Sequence, residues 1–286
     1  MGTVMMGTEV AKAMKERLLK ETENLKQRGI LPRLAILRVG ERPDDLSYER
    51  GARKRMELTG IDCQVSVLPL DVSQQELEAE FTRLNEDPDV HGILVFRPLP
   101  GHLDEEPLKK IINPVKDVDC MCPVNIAKVF SGDDSGYAPC TPEAVMEMLD
   151  HYGIDPKGKK VTVIGRSMVV GKPLAMLLLK RHATVTMCHT RTADLPGTCR
   201  QAELLIAAAG KAKMVGPDMV GEGAVVIDVG INVDEEGNLC GDVDFEAVQH
   251  KTACISPVPR GVGSVTTSVL ANHVVRAAKY LHHLDV

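Results

Sequence analysis

Tryptophan is absent from this chain, and four tyrosines and four phenylalanines are all the other ring-bearing apolar residues among its 286 positions. Any stacking surface must therefore come from very few side chains. There is no basic excess either: 34 Lys and Arg face 40 Asp and Glu. That mildly acidic balance removes the electrostatic ground for a nucleic-acid or anionic-membrane partner. No apolar run approaches the length of a membrane span, and the first residues lack the layout of a signal peptide. Internal repeats and low-complexity tracts are missing. The eight cysteines are scattered, and Cys120 and Cys122 enclose one residue, too few for a C-x-x-C knuckle. Cys140 and Cys188 sit in turn or apolar contexts and read as inert thiols. A reduced, cytoplasmic compartment is expected, with no metal centre.

What the chain does have is a regular alternation of helix and strand patterns, which predicts an α/β fold with largely parallel sheets in two domains. Apolar spacing predicts helices over Thr8 to Arg28, Leu46 to Leu58, Ser73 to Leu84 (Ser73 as N-cap), and Thr141 to Tyr152 with Pro142 at the first position. Strands are expected over Leu34 to Val39, Cys63 to Leu68 and Gly92 to Val95. Residues 116–142 are rich in turn formers and read as a long ordered loop. A second α/β unit has strands over Val161 to Ile164, Thr184 to Met187, Leu204 to Ala208 and Ala224 to Val229. The expected domains are 1–150 and 151–265, with the closing helix 266–286 returning to the first.

The run Val161-Thr162-Val163-Ile164-Gly165-Arg166-Ser167-Met168-Val169-Val170-Gly171-Lys172-Pro173 is the most informative stretch. It reads as a buried strand, a glycine turn and the start of an apolar helix. Backbone N–H groups and a helix N-terminus in this arrangement suit a pyrophosphate. The spacing is not G-x-G-x-x-G, so the pattern alone also admits a plain packing turn. After the next strand comes Cys188-His189-Thr190-Arg191-Thr192, with no carboxylate to bind ribose hydroxyls. Arg166, Arg191 and the Thr190 hydroxyl suit a 2′-phosphate instead, which favours NADP over NAD. Arg191 reads equally well as a solvated turn residue, and His189 as a satisfied turn histidine.

Further segments complete a family pattern. They are Val39-Gly40 followed by Tyr48, Gly92-Ile93-Leu94-Val95 with Pro98-Leu99-Pro100, Lys116-Asp117-Val118-Asp119, and Pro139-Cys140-Thr141-Pro142. Late in the chain stand Asp228-Val229-Gly230-Ile231-Asn232 and Pro257-Val258-Pro259 with Gly261-Val262-Gly263. In this order, with the glycine turn, they resemble the methylenetetrahydrofolate dehydrogenase/methenyltetrahydrofolate cyclohydrolase family over nearly the whole chain. The resemblance implies an N-terminal α/β folate-binding domain, a Rossmann-like NADP-binding domain, an active site in the cleft between them, and a homodimer. It implies tetrahydrofolate derivatives as substrates. Tyr48 and Asp119 take the catalytic places, Tyr48 packing on the folate and Asp119 holding the pterin ring. Pro259, Gly261 and Gly263 fall near the pterin and nicotinamide, while Gly165, Arg166, Ser167, Thr190 and Ile231 fall at NADP contacts.

The departures cluster on the catalytic face. The family lysine four residues after the tyrosine is Ala52, and the family glutamine after Gly-Ile-Leu-Val is Phe96. A serine becomes Asp45, the first glycine of the late loop becomes Arg260, and a Pro-Met pair becomes Ser264-Val265. Alanine transfers no proton and phenylalanine orients no water. The expectation is that NADP-dependent dehydrogenase activity survives while cyclohydrolase activity is weak or absent. Three alternatives stand beside it: water activation rewired through Arg53, Arg55 or Arg97, a silent folate- and NADP-binding protein, and a dehydrogenase of another small substrate.

Overall fold

The sheets follow from where the fully apolar strands lie. The computed structural model describes residues 2–285. The chain forms two compact units, one of residues 13–140 with 267–286 and the other of residues 1–12 with 141–266. The expected first domain of 1–150 therefore gives up its opening residues and nearly all of the helix Cys140–His151 to the second unit, so the boundary near Tyr152 moves to 140/141.

In the first unit, Arg33–Val39 is the middle strand of a parallel sheet, between Asp62–Leu68 and Gly92–Val95. Leu34, Ala35, Ile36 and Leu37 are wholly buried, which a strand covered on both faces requires. Each Leu or Ile contributes about 1.5–3 kcal/mol of burial. One face packs on Leu77, Phe81 and Leu84 from the helix Gln74–Glu86. That helix starts where the sequence says: Ser73 and Glu76 form a reciprocal capping box.

The supposed loop over 116–142 is not all loop. It holds the helix Pro123–Ser131, begun by Cys122, whose sulfur accepts from the Asn125 N–H at 3.4 Å, and ended by Gly132 at φ 74°. Another short helix, Glu106–Ile111, precedes it. The helix expected from Thr141 begins at Cys140, so Pro142 is its third residue rather than its first.

The second unit is a six-stranded, all-parallel sheet. Its order is Thr3–Val4, Cys254–Ile255, Val225–Asp228, Leu204–Ala207, Lys160–Ile164, Thr184–Cys188. Apart from the edge strand Thr3–Val4, sequence runs outward from Lys160–Ile164 to both sides, the doubly wound arrangement whose ligand position lies beyond the carboxyl ends of the strands. Among the described residues no helix is long and apolar enough to cross a membrane, and none of the cysteines is in a disulfide.

Candidate active site

The helix Pro43–Leu58 carries Tyr48 and buries Asp45, Glu49, Ala52 and Met56 on one face. It is held to the central strand by Arg38, whose Nε donates to Glu49 Oε2 at 2.7 Å in a setting closed to solvent on both sides. Burial makes that pair costly to break, since loss of either partner strands a charge. Arg53 approaches the other Glu49 oxygen at 3.7 Å, and Arg42 grips Asp45 with two 2.8 Å bonds. Burial lowers the pKa of Arg55.

Tyr48 remains 37 % exposed, while Ala52, one helical turn on, is sealed completely. The ring of Phe96 meets Tyr48 edge to face, with centroids 5.7 Å apart at 82°. Phe96 thus sets hydrocarbon against the Tyr48 ring. Phe96 follows the strand Gly92–Val95 directly, and Arg97 comes next, part-exposed.

The segment bearing Asp119 is laid beside that strand by the Ile93 N–H bond to Lys116 O at 2.8 Å and a parallel bridge from Ile93 to Asp117. Lys116 donates to Asn85 O and Asp87 O, closing the helix Gln74–Glu86. Asp117 accepts from the Met121 and Cys122 N–H groups and from the Asn125 amide, so it is a turn cap. Asp119 differs. Its Oδ1 accepts the Cys140 N–H at 2.9 Å. Desolvation raises its pKa, opposed by the hydrogen bonds from Cys140 and by the field of the Arg97 guanidinium. Phe96 and Arg97, adjacent in sequence, thus join the surroundings of Tyr48 to those of Asp119. Nothing in the sequence marked the Cys140 amide as Asp119's partner.

In the second unit the glycine turn is set by its backbone. Gly165 has φ 134°, and a Cβ there would lie 2.2 Å from Ala208 O. A Cβ on Gly171 would lie 2.2 Å from Gly165 O. Strand, turn and helix approach so closely that only glycine fits either place. The helix Gly171–Lys180 has no side-chain cap at Val170, which leaves its positive end open to an anion. Arg166 and Ser167 both stand exposed at the turn. Pairing of Ile164 with Cys188 sets the neighbouring turn alongside. There His189 accepts from the Arg191 N–H at 3.1 Å and Thr192 from the His189 N–H at 2.9 Å, and Thr190 and Arg191 are exposed. The nearest acid, Asp194, accepts from the Gly197 N–H as a helix cap. These groups fit a dinucleotide with a 2′-phosphate.

Ile231, Pro259, Gly261 and Gly263 come together around one cavity of about 200 Å³, also lined by Gly230 and Arg260. Asp228 also lines it, and a second buried carboxylate, Asp242, lies behind. Asp228 accepts the N–H groups of Gly230, Asp242 and Val243. Asp242 accepts those of Ala209, Gly210 and Lys211 and the Asn232 amide. Desolvation pushes Asp228 up to about 6 despite these donors. Asp242 is the residue that reading the motifs missed. Its only signal was an acid directly after a glycine. The predicted contact residues therefore divide: Tyr48 and Asp119 belong to the first unit, and all the others to the second. Among the described residues no His, Cys, Asp and Glu cluster is arranged to hold a metal.

Comparison with known proteins also puts Tyr48 and Asp119 in one family domain and the other named residues in the next. A family model described as tetrahydrofolate dehydrogenase/cyclohydrolase, catalytic domain, matches residues 5–119, and the NAD(P)-binding domain of the same family matches residues 139–282. The chain belongs to the tetrahydrofolate dehydrogenase/cyclohydrolase family. It is 59 % identical to the bifunctional protein FolD of Clostridioides difficile (strain 630) over 278 residues, covering 97 % of each chain. The FolD of Clostridium kluyveri is 54 % identical over 284 residues, 99 % of this chain and 100 % of that one. Among solved structures, the FolD methylenetetrahydrofolate dehydrogenase/cyclohydrolase of Campylobacter jejuni superposes with a TM-score of 0.95 at 42 % identity, covering 98 % of this chain and 99 % of its own. The Trypanosoma brucei FolD, solved with NADP and an inhibitor, gives 0.92 at 37 % identity over 98 % of both chains. The two-domain α/β fold of the family is the fold of this chain.

Proposed function

We propose that this family member oxidises methylenetetrahydrofolate to methenyltetrahydrofolate with NADP, and that it does not carry the second, hydrolytic step at an appreciable rate. Bound NADP supplies the hydride acceptor. The chain's own residues bind and orient. The open helix end at Gly171 and the turn backbone at Gly165 and Ser167 take the pyrophosphate, and Arg166 with Thr190 and Arg191 takes the 2′-phosphate. Asp119, fixed by the Cys140 amide, accepts the pterin N–H groups at both carboxylate oxygens. Tyr48 packs on the substrate with its exposed edge, and the Phe96 ring behind it limits its rotation. The substrate nitrogen's lone pair stabilises the cation left by hydride loss, so orientation rather than a strong base is what the protein must provide.

Hydrolysis of the methenyl carbon is different, because a water must lose a proton in a defined place. The carrying observation is that Tyr48 has Phe96 against its ring and a wholly buried Ala52 one turn away. Of the cations considered as substitutes, Arg53 is drawn to Glu49 and Arg97 acts on Asp119. A guanidinium stays protonated and so holds charge without exchanging a proton. A spectrophotometric assay with methylenetetrahydrofolate and each nicotinamide cofactor tests the first half; the methenyl product should accumulate with NADP and far less with NAD. The family resemblance further supports a cytoplasmic homodimer in one-carbon metabolism. Light scattering on the eluted protein checks the dimer.

A further inference from the structure

Arg260 has no part in the chemistry described so far, yet its placement is unusual. It is exposed, its backbone sits at φ 78°, and its carbonyl accepts the Gly7 N–H at 2.8 Å. Side chains other than glycine rarely adopt that conformation, and non-glycine residues held there cluster where a ligand is gripped. Its guanidinium has no hydrogen-bond or ion-pair partner among the described residues. It stands at the cavity shared by Gly230, Ile231, Pro259, Gly261 and Gly263. An unpaired, strained cation at a cavity calls for an anion.

The strand order says which anion. Arg260 follows the strand Cys254–Ile255, which lies three strands from Lys160–Ile164 and four from Thr184–Cys188. At roughly 4.8 Å per strand, these separations are about 14 and 19 Å. On the reading proposed above, the pyrophosphate and the 2′-phosphate gather at that far end, and only the nicotinamide ring, a cation in its oxidised form, approaches Ile231. The cofactor has no anion left for Arg260. The other reactant does: its reacting carbon must come within about 3.5 Å of the nicotinamide, and a folate carries carboxylates on its glutamyl tail.

We propose that Arg260 is a carboxylate-binding residue that takes the glutamyl tail of the folate substrate and so contributes to substrate specificity. This rests on the folate and NADP reading of the site. The experiment compares the wild-type enzyme with Arg260→Gly and Arg260→Lys. Glycine suits the observed φ, so the first variant retains the fold, and circular dichroism verifies it. Steady-state kinetics use the methylene derivatives of mono- and triglutamyl tetrahydrofolate and of tetrahydropteroate, which has no glutamate, together with an NADP titration. Arg260→Gly is expected to raise KM for both glutamylated substrates by about 10-fold or more, as befits a lost charge-assisted bond. Arg260→Lys should stay within a few-fold of wild type, and the tail-free substrate should not distinguish the three proteins. Equal KM values for all substrates in Arg260→Gly overturn the proposal. So does a loss confined to NADP, which would assign the cation to a phosphate. Failure of the wild-type enzyme itself to reduce NADP with any of these folates overturns the underlying reading, and is distinguishable because it appears before any substitution.

Discussion

On the proposed assignment of the site, the two units hold their functional groups by different means. In the second, the binding surface is mostly backbone: glycines that exclude a Cβ, an uncapped helix end, and N–H groups aimed by Asp228 and Asp242. In the first, it is mostly side chain: Tyr48, Phe96, Arg97 and Asp119 on a helix and strand ends that keep their geometry whatever they carry. A surface made of backbone cannot change without breaking the fold. One made of side chains can carry Ala52 and Phe96 with the helix beneath in place, and on the proposed reading these two leave no proton-handling pair there.

The sharpest way to break that contrast is Gly165→Ala, which places a Cβ 2.2 Å from Ala208 O at φ 134°. Strain and overpacking together should cost roughly 4 kcal/mol, visible as a lowered urea midpoint and lost NADP binding. The units should also answer acid in opposite senses. His91, 2 % exposed and facing His282, Lys116, Arg33 and Asp89, is lowered to about 4, mainly by desolvation. The unfolded chain then binds more protons than the folded one between pH 6.5 and about 4, so this group's stabilisation is lost as pH falls through that window. Asp228 is raised to about 6, so the folded state binds more protons, and stability is lost as pH rises from 3.8 through about 6. Each slope integrates to about 3 kcal/mol. Urea titrations across pH should show His91→Asn removing the first and Asp228→Asn the second; a slope unchanged in either variant contradicts its assignment.

Smaller effects sharpen the chemistry. Asp119→Ala should reduce kcat/KM for the folate by about 100-fold, on the scale of two charge-assisted bonds, with NADP affinity retained. Arg166→Ala and Arg191→Ala should each raise KM for NADP by about 10-fold and leave KM for NAD nearly unchanged. Equal losses with both cofactors would place these arginines away from the 2′-phosphate.

The sequence disclosed these regions unequally, for physical reasons. Gly92–Val95 stands at the bounds its apolar pattern predicts and the closing helix starts at Thr266 as expected, because turn residues or a helix-starting threonine flank each. The helix Pro123–Ser131 was hidden because its cap is a cysteine sulfur. Thr3–Val4 is a two-residue strand with no period to read. The glycine turn was legible as a turn, since steric exclusion leaves glycine in the sequence. The Asp228 and Asp242 network was not, because carboxylates that accept backbone N–H groups from distant loops leave no spacing rule. The left-handed backbone of Arg260 was equally invisible, as its residue type argues against that conformation.

Loss of water handling beside Tyr48 is the central claim, and the rate of methenyltetrahydrofolate hydrolysis measures it most directly. Decay of the methenyl absorbance should run near the uncatalysed rate with wild-type enzyme at concentrations that give brisk NADP reduction, and should rise in the Ala52→Lys, Phe96→Gln double variant. Wild-type hydrolysis as fast as the dehydrogenase step would contradict it.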